Sequence, residues 1–293
     1  MSGAEKAVRP EQTLDDHVAQ PAAQAADDQA TGSGDRSSRL FGGAGGGKDG
    51  GDKAVQPTTE NLAGSLWAKD ADGKDLPPSL DDISQGGLND CYVFAAMAAI
   101  VNADPQRIKD MIKDNTGSYT ITFAGTGWFT ADSQTVSADF VVGKHGNVTG
   151  RKALWPLLIE KAYAQEKGGI EKLDTGGNAG TAVDDFTDQG ASRFDPRDKE
   201  ADWILSKLAK AHADKQPATI LSPKLDDASK EKKEMSDKIP GLHFWHFYPI
   251  TEVDEKQRRV KLFNPWGRDH PNGDGWVSIE VIRTFFIEVD ING

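Results

Sequence analysis

A glycine turn running straight into an apolar stretch constrains this chain more than any other feature. The stretch is Gln85-Gly-Gly-Leu-Asn-Asp-Cys91-Tyr-Val-Phe-Ala-Ala-Met-Ala-Ala-Ile100, and it holds the only cysteine of the 293 residues. Small and apolar residues from Cys91 onward read as a buried helix. A cysteine in the first turn of such a helix faces unpaired backbone N–H groups and the positive end of the macrodipole, which favour the thiolate. The plainer reading is an ordinary buried small hydrophobe, and the rest of the chain has to decide between the two.

Hydrophobic residues make up 37% of the chain, low for a uniformly globular protein, so part of the sequence is expected not to fold. One cysteine excludes an intramolecular disulfide and fits a reducing compartment or a protein that does without crosslinks. The start, Met1-Ser-Gly-Ala-Glu-Lys6, has no apolar core, so no signal peptide is read there. No run of roughly 18 apolar residues marks a membrane span. The expectation is a cytoplasmic protein, or one secreted without a cleavable signal peptide. A net charge of −12 argues against nucleic acid and against anionic membranes as partners. A soluble monomer is expected.

Residues 1–60 are rich in Ala, Gln, Asp, Gly and Ser, with a linker-like run at Arg39–Gly51, and read as a disordered leader. Gly-Gly-Lys in that run lacks the spacing and the preceding strand of a phosphate loop. From Leu62 the character becomes that of a folded domain. Asp104-Pro105 reads as an N-cap with proline at the first helical position, opening a short helix that ends near Asn115-Thr-Gly117. Tyr119–Ala124 and Gln134–Val142 alternate as strands, and Leu154–Gln165 is an amphipathic helix stopped by Gly168-Gly169. Leu173–Gly180 looks like a hinge. Ala201–Asp214 reads as a helix, Ala218–Ser222 as a short strand, and the Lys/Asp/Glu-rich residues 223–239 as a solvated loop or flap.

Phe244–Val253 and Arg259–Asn264 flank the turn Asp254-Glu-Lys-Gln-Arg258 and read as an antiparallel hairpin. Centring the turn near Glu255 and Lys256 puts Asn264 opposite Phe247 and beside His246. Adjacent cross-strand side chains lie about 5–8 Å apart, near enough for Asn264 to orient the imidazole. A thiol nucleophile needs that set: His246 takes the proton, and Asn264 fixes its ring and tautomer. Gln85, six residues before Cys91, is a candidate oxyanion donor beside the Cys91 N–H. A lone histidine in a strand is by itself more often structural.

These residues carry a resemblance. Gln85-Gly-Gly-Leu-Asn-Asp-Cys91-Tyr resembles the Gln-Gly-x-Leu-Gly-Asp-Cys-Trp signature of the calpain-type, papain-like cysteine protease core. Leu157-Leu-Ile-Glu-Lys-Ala-Tyr-Ala164 is similar to that family's Leu-Leu-Glu-Lys-Ala-Tyr-Ala helix, with one extra residue. Gly176-Gly177 followed by Asp184-Asp-Phe-Thr187 resembles its Gly-Gly … Glu-Asp-Phe-Thr segment. His246-Phe-Tyr-Pro-Ile-Thr251, Phe263-Asn-Pro-Trp-Gly267 and Asp274-Gly-Trp-Val-Ser-Ile279 follow in the family's order.

The resemblance implies an α+β, papain-like two-subdomain core behind the leader. A helical half at 61–177 would carry the nucleophile, and a β-rich half at 178–293 the His and Asn, with the substrate cleft between them. It assigns Cys91 as nucleophile, His246 as base and acid, Asn264 as orienting residue and Gln85 as oxyanion donor. Trp266 would shield the His–Asn bond, and Gly176 and Gly177 would let a peptide backbone approach. The implied activity is calcium-dependent-type endopeptidase hydrolysis of a protein or peptide substrate through an acyl-enzyme. No cofactor is required for the chemistry, with Ca²⁺ as an activator and Asp82 and Glu171 at the places of its acidic ligands. Departures accompany the match. Trp245 stands where the family has a Gly before the histidine, and would narrow the cleft, change specificity or block ordinary peptides. His243 is expected on the opposite strand face from His246. A second calcium loop looks absent between Gly267 and Asp274. Nothing follows Gly293, which resembles a bacterial-type member without accessory domains. Two alternatives stay open: a degenerate core used for binding, and a related acyl transfer or deamidation on the same triad.

Overall fold

The computed structural model describes residues 59–61, 64–124, 132–141 and 152–293; the expected leader lies outside them except at its last two residues. The N-terminal part runs β1 (Thr59–Asn61), α1 (Cys91–Ala103), α2 (Pro105–Met111), β2 (Ile112–Asp114), β3 (Tyr119–Thr122), β4 (Ser133–Val136), β5 (Asp139–Val141), α3 (Trp155–Glu166), α4 (Ile170–Leu173) and α5 (Ala179–Thr187). The remainder runs β6 (Ala191–Phe194), α6 (Ala201–Ala213), β7 (Ala218–Leu221), α7 (Lys230–Lys238), β8 (Phe247–Asp254), β9 (Arg259–Leu262), β10 (Trp276–Ser278), α8 (Ile279–Phe285) and β11 (Glu288–Asn292).

Local chemistry sets the boundaries of α1. Its first turn begins after the Gly86-Gly87 turn, with the Asp90 carbonyl accepting from Val93 N–H at 2.8 Å. It ends where Asp104 turns extended at φ −155° before Pro105, and the Asp104 side chain caps α2 through Gln106 N–H. Val93 through Ile100 are buried on all sides, at 0–1% exposure. Each large side chain among them contributes about 1.5–3 kcal/mol by leaving water.

The expected strand over 134–142 is two strands in two sheets. β4 pairs with β3 in an antiparallel sheet of order β2-β3-β4, while β5 pairs with β1. Six strands form an antiparallel sheet of order β10-β9-β8-β7-β11-β6. Side-chain alternation in this sheet divides the core. Phe247 and Leu221 join a cluster built from α1, α3 and α5, whereas Tyr248, Ile250 and Ile220 join one built with α6 and α8. Helix α1 therefore covers one face of the sheet where β7 and β8 meet, and α6 and α8 cover the other. The overall class is α+β, as expected.

The hairpin of β8 and β9 forms, with a register shift. Asp254 faces Arg259 and Val253 faces Val260, but an irregularity between Ile250 and Glu252 moves the pairing by one residue. The charged stretch 223–239 is not all loop: Ser229 caps α7 by accepting from Lys232 N–H, and no residue of that helix is buried.

Candidate active site

Three segments converge beneath the N-terminus of α1. The turn before the helix bonds to the loop after β9, Gln85 N–H donating to Pro265 O at 2.8 Å. Gly267 is fixed there by its positive φ of 74° and by Ile83 O, which a Cβ would meet at 2.5 Å. The start of β8 lies against Cys91, whose thiol receives the Phe247 backbone N–H. Cys91 is therefore brought next to the residue that follows His246.

The thiol's electrostatics differ from the helix-start expectation. Cys91 is partly exposed as a residue, yet burial of its thiol group pushes its pKa up to about 12. The adjacent Asp90 carboxyl adds to the rise, and N–H groups of Phe247, Tyr92 and Cys91 oppose it. Desolvation outweighs the helix dipole here. Asp90 is itself fully buried, and its acid is held well above the usual carboxylate range by burial and then by Glu160.

His246 is buried at 4% exposure, and its Nε2 lies 3.0 Å from Asn264 Oδ1. Asn264 is held in turn: Oδ1 also accepts Trp266 N–H at 3.1 Å, Nδ2 donates to Asp269 O at 3.0 Å, and its backbone N–H donates to His270 Nδ1 at 3.0 Å. With Oδ1 an acceptor, the imidazole proton sits on Nε2 and Nδ1 is left bare. Nδ1 makes no hydrogen bond among the described residues. Burial pushes the imidazole down to about 3, against the bond from Asn264. At neutral pH the thiol and imidazole are thus both uncharged in this arrangement.

Trp266 packs its ring 4.9 Å from that of His246, and its backbone N–H shares Asn264 Oδ1 with the imidazole. His243 is not on an opposite face: its ring lies 6.0 Å from His246 and 4.4 Å from Trp266. The alternation argument fails because β8 begins only at Phe247 and Trp245 adopts φ 50°.

Gln85 is buried near the helix start, but its amide N–H₂ donates to Leu88 O at 2.8 Å and Asp90 Oδ1 at 3.2 Å. Both donor hydrogens are occupied. Gly176 has φ 82° with open space where a Cβ would be, whereas a Cβ on Gly177 would meet the Tyr92 ring at 2.5 Å. Close approach at Gly177 is to Tyr92. Trp245 is 54% exposed.

Asp82 and Glu171 belong to no group of three or more His, Cys, Asp or Glu side chains able to share an ion among the described residues. Asp82 is buried, and its Oδ2 accepts from Ser79 N–H and from the Trp155 indole at 3.0 Å each. Asp82 thereby ties the lead-in to α3.

Sequence reasoning passed over Ser222. Its Oγ accepts His246 N–H at 2.9 Å and its N–H donates to His246 O at 3.1 Å, fixing the histidine backbone on both sides. The signal was its position at the end of the short strand β7. No helix among the described residues is long and apolar enough to cross a membrane.

Comparison with known proteins places these residues in context. Residues 76–279 match the model of the calpain family cysteine proteases. Calpain clp-4 of Caenorhabditis elegans is 29% identical over 212 residues, which cover 67% of this chain and 28% of that protein. Calpain-9 of Mus musculus is 29% identical over 212 residues, covering 66% and 29%. The calpain-type cysteine protease DEK1 of Arabidopsis thaliana is 28% identical over 213 residues, covering 67% and 9%. The chain thus spans less than a third of these relatives. They are animal and plant proteins and lend no support to the bacterial-type reading.

Proposed function

Because the chain belongs to the calpain family of cysteine proteases, we propose that it is a cysteine endopeptidase working through Cys91, His246 and Asn264. One observation carries the reading: His246 Nε2 is held by Asn264 Oδ1 beside the ring of Trp266, while the Cys91 thiol sits on the next residue's N–H. The bare Nδ1 then takes the thiol proton. The thiolate attacks the scissile carbonyl, and the Cys91 N–H with Gln85 stabilises the oxyanion. His246 hands the proton to the leaving amine, and water hydrolyses the thioester with His246 again as base.

Two adjustments belong to this mechanism. The neutral pair becomes an ion pair once the thiol leaves the Phe247 N–H for Nδ1, a step that substrate occupying the cleft would drive. Gln85 must release Leu88 O or Asp90 to serve the oxyanion. Nucleophile, base and donors all come from the chain; calcium as an activator is a separate proposal.

The alternatives on the same triad are acyl transfer and deamidation, and on the same core a binding module. Digestion of an unfolded protein, followed by mass spectrometry with Cys91→Ala as control and with and without calcium, separates them. New chain ends that require Cys91 support the endopeptidase. A mass change without cuts would replace it by deamidation, and no change under either condition would leave a binding module.

A further inference from the structure

The ring immediately before the proposed base has no part in that chemistry, and its setting is costly. Trp245 occupies the left-handed region at φ 50°, where the resemblance places a glycine and where a bulky residue is rarely tolerated. The side chain is 54% exposed, so this conformation serves no core packing. It turns two neighbours in opposite directions, Trp245 outward and His246 inward. The rim is also fastened. Trp245 N–H donates to Pro223 O at 2.8 Å, and Ser222 brackets His246. Lys224 places its ammonium 4.6 Å from the Trp245 ring centroid, and Leu225, next in the same loop, is 47% exposed.

We propose that Trp245 is a specificity-determining residue of the peptidase, packing an apolar substrate side chain on the leaving-group side of the scissile bond; this rests on the endopeptidase reading above. His246 delivers its proton to the leaving amine, so the backbone directly before it lines that side of the cleft. The indole offers apolar surface that is not used by the fold. Lys224, whose ammonium lies over the ring, repels a basic substrate residue there. Covering about 60 Å² of apolar surface corresponds to roughly tenfold in kcat/KM for a leucine or phenylalanine over glycine.

The test uses internally quenched peptides that are identical except for the residue after the scissile bond: Leu, Phe, Gly, Asp or Lys. The full chain is compared with Trp245→Gly, which accepts the positive φ without strain, and with Trp245→Ala. The readout is the ratio of kcat/KM for Leu or Phe over Gly within one preparation, from which the fraction of active enzyme cancels. Wild type should show the apolar preference, and both variants should lose about tenfold of it. A wild type that cleaves without preference at this position, or variants that keep it, would overturn the proposal and leave the endopeptidase intact. Failure of wild type to cleave any peptide would remove the endopeptidase reading and this one with it.

Discussion

Replacing Asn264 by alanine tests the account where its geometry is tightest. Asn264 has no solvent exposure, and its carboxamide makes three hydrogen bonds, to His246, Trp266 and Asp269. Truncation leaves one imidazole N–H, one backbone N–H and one backbone carbonyl without these partners. A buried group left unpaired costs about 1–3 kcal/mol. Trp266 and Asp269 are near enough to solvent for water to take over, so the total should fall near 2–4 kcal/mol, read as a lower urea midpoint at unchanged slope. The catalytic cost comes on top. Without the acceptor at 3.0 Å, the Nε2–H tautomer is no longer held and the ring can turn, so Nδ1 is bare and aligned only part of the time. Loss of one hydrogen bond that matters in the transition state predicts a fall of roughly 10–100-fold in kcat/KM, measured well below the melting temperature. Asn264→Asp keeps an acceptor beside Nε2 and should recover part of the rate, with an acid limb moved upward because the carboxylate raises the imidazole's pKa from about 3. Turnover of Asn264→Ala within about twofold of wild type would refute the orienting role.

Gly177→Ala should destabilise the chain by about 1–3 kcal/mol, because its Cβ would sit 2.5 Å from the buried Tyr92 ring. Adding Tyr92→Ala should cost less in that background than alone, and strictly additive urea midpoints would contradict the contact. The thiol predicts a pH effect on stability. Its folded pKa of about 12 lies above the unfolded value, so its contribution is complete below the unfolded value and is lost as pH rises toward 12. Between pH ~8.5 and ~10 the wild type should lose up to about 1.4 kcal/mol per pH unit from this group, a slope that Cys91→Ala should lack; equal slopes would count against it.

Much of this arrangement was readable from local pattern. The apolar run of α1, the Asp104-Pro105 cap and the charged turn at Asp254–Arg258 are short-range signals, and each produced its element. The pairing of His246 with Asn264 was reached through a turn centred one residue too early, which leaves the register two residues out at Asp254 and Arg259; the bulge near Thr251 takes back one of them, and two side chains of that length tolerate the rest. What was hidden depends on neighbours distant in sequence. Residues 230–238 have no apolar period, so a helix held by Ser229 and by Lys232 on Phe285 O left no pattern to read. The closeness at Gly177 belongs to Tyr92, and the turning of Gln85 belongs to Asp90 and Leu88. The state of the thiol was misread for the same reason. Helix position is local and favours the thiolate, whereas the burial that opposes it appears only when β8 closes over Cys91.

Cys91 is proposed to become a nucleophile through His246 when the cleft is occupied. Labelling by an epoxysuccinyl peptide, which fills the cleft, can be set against labelling by iodoacetamide, which does not, in wild type and His246→Ala at neutral pH. Iodoacetamide should react slowly with both proteins, since the resting thiol is held protonated. The epoxide should modify Cys91 of wild type at least about 100-fold faster than Cys91 of His246→Ala. Equal epoxide rates in the two proteins would show that His246 does not activate the thiol.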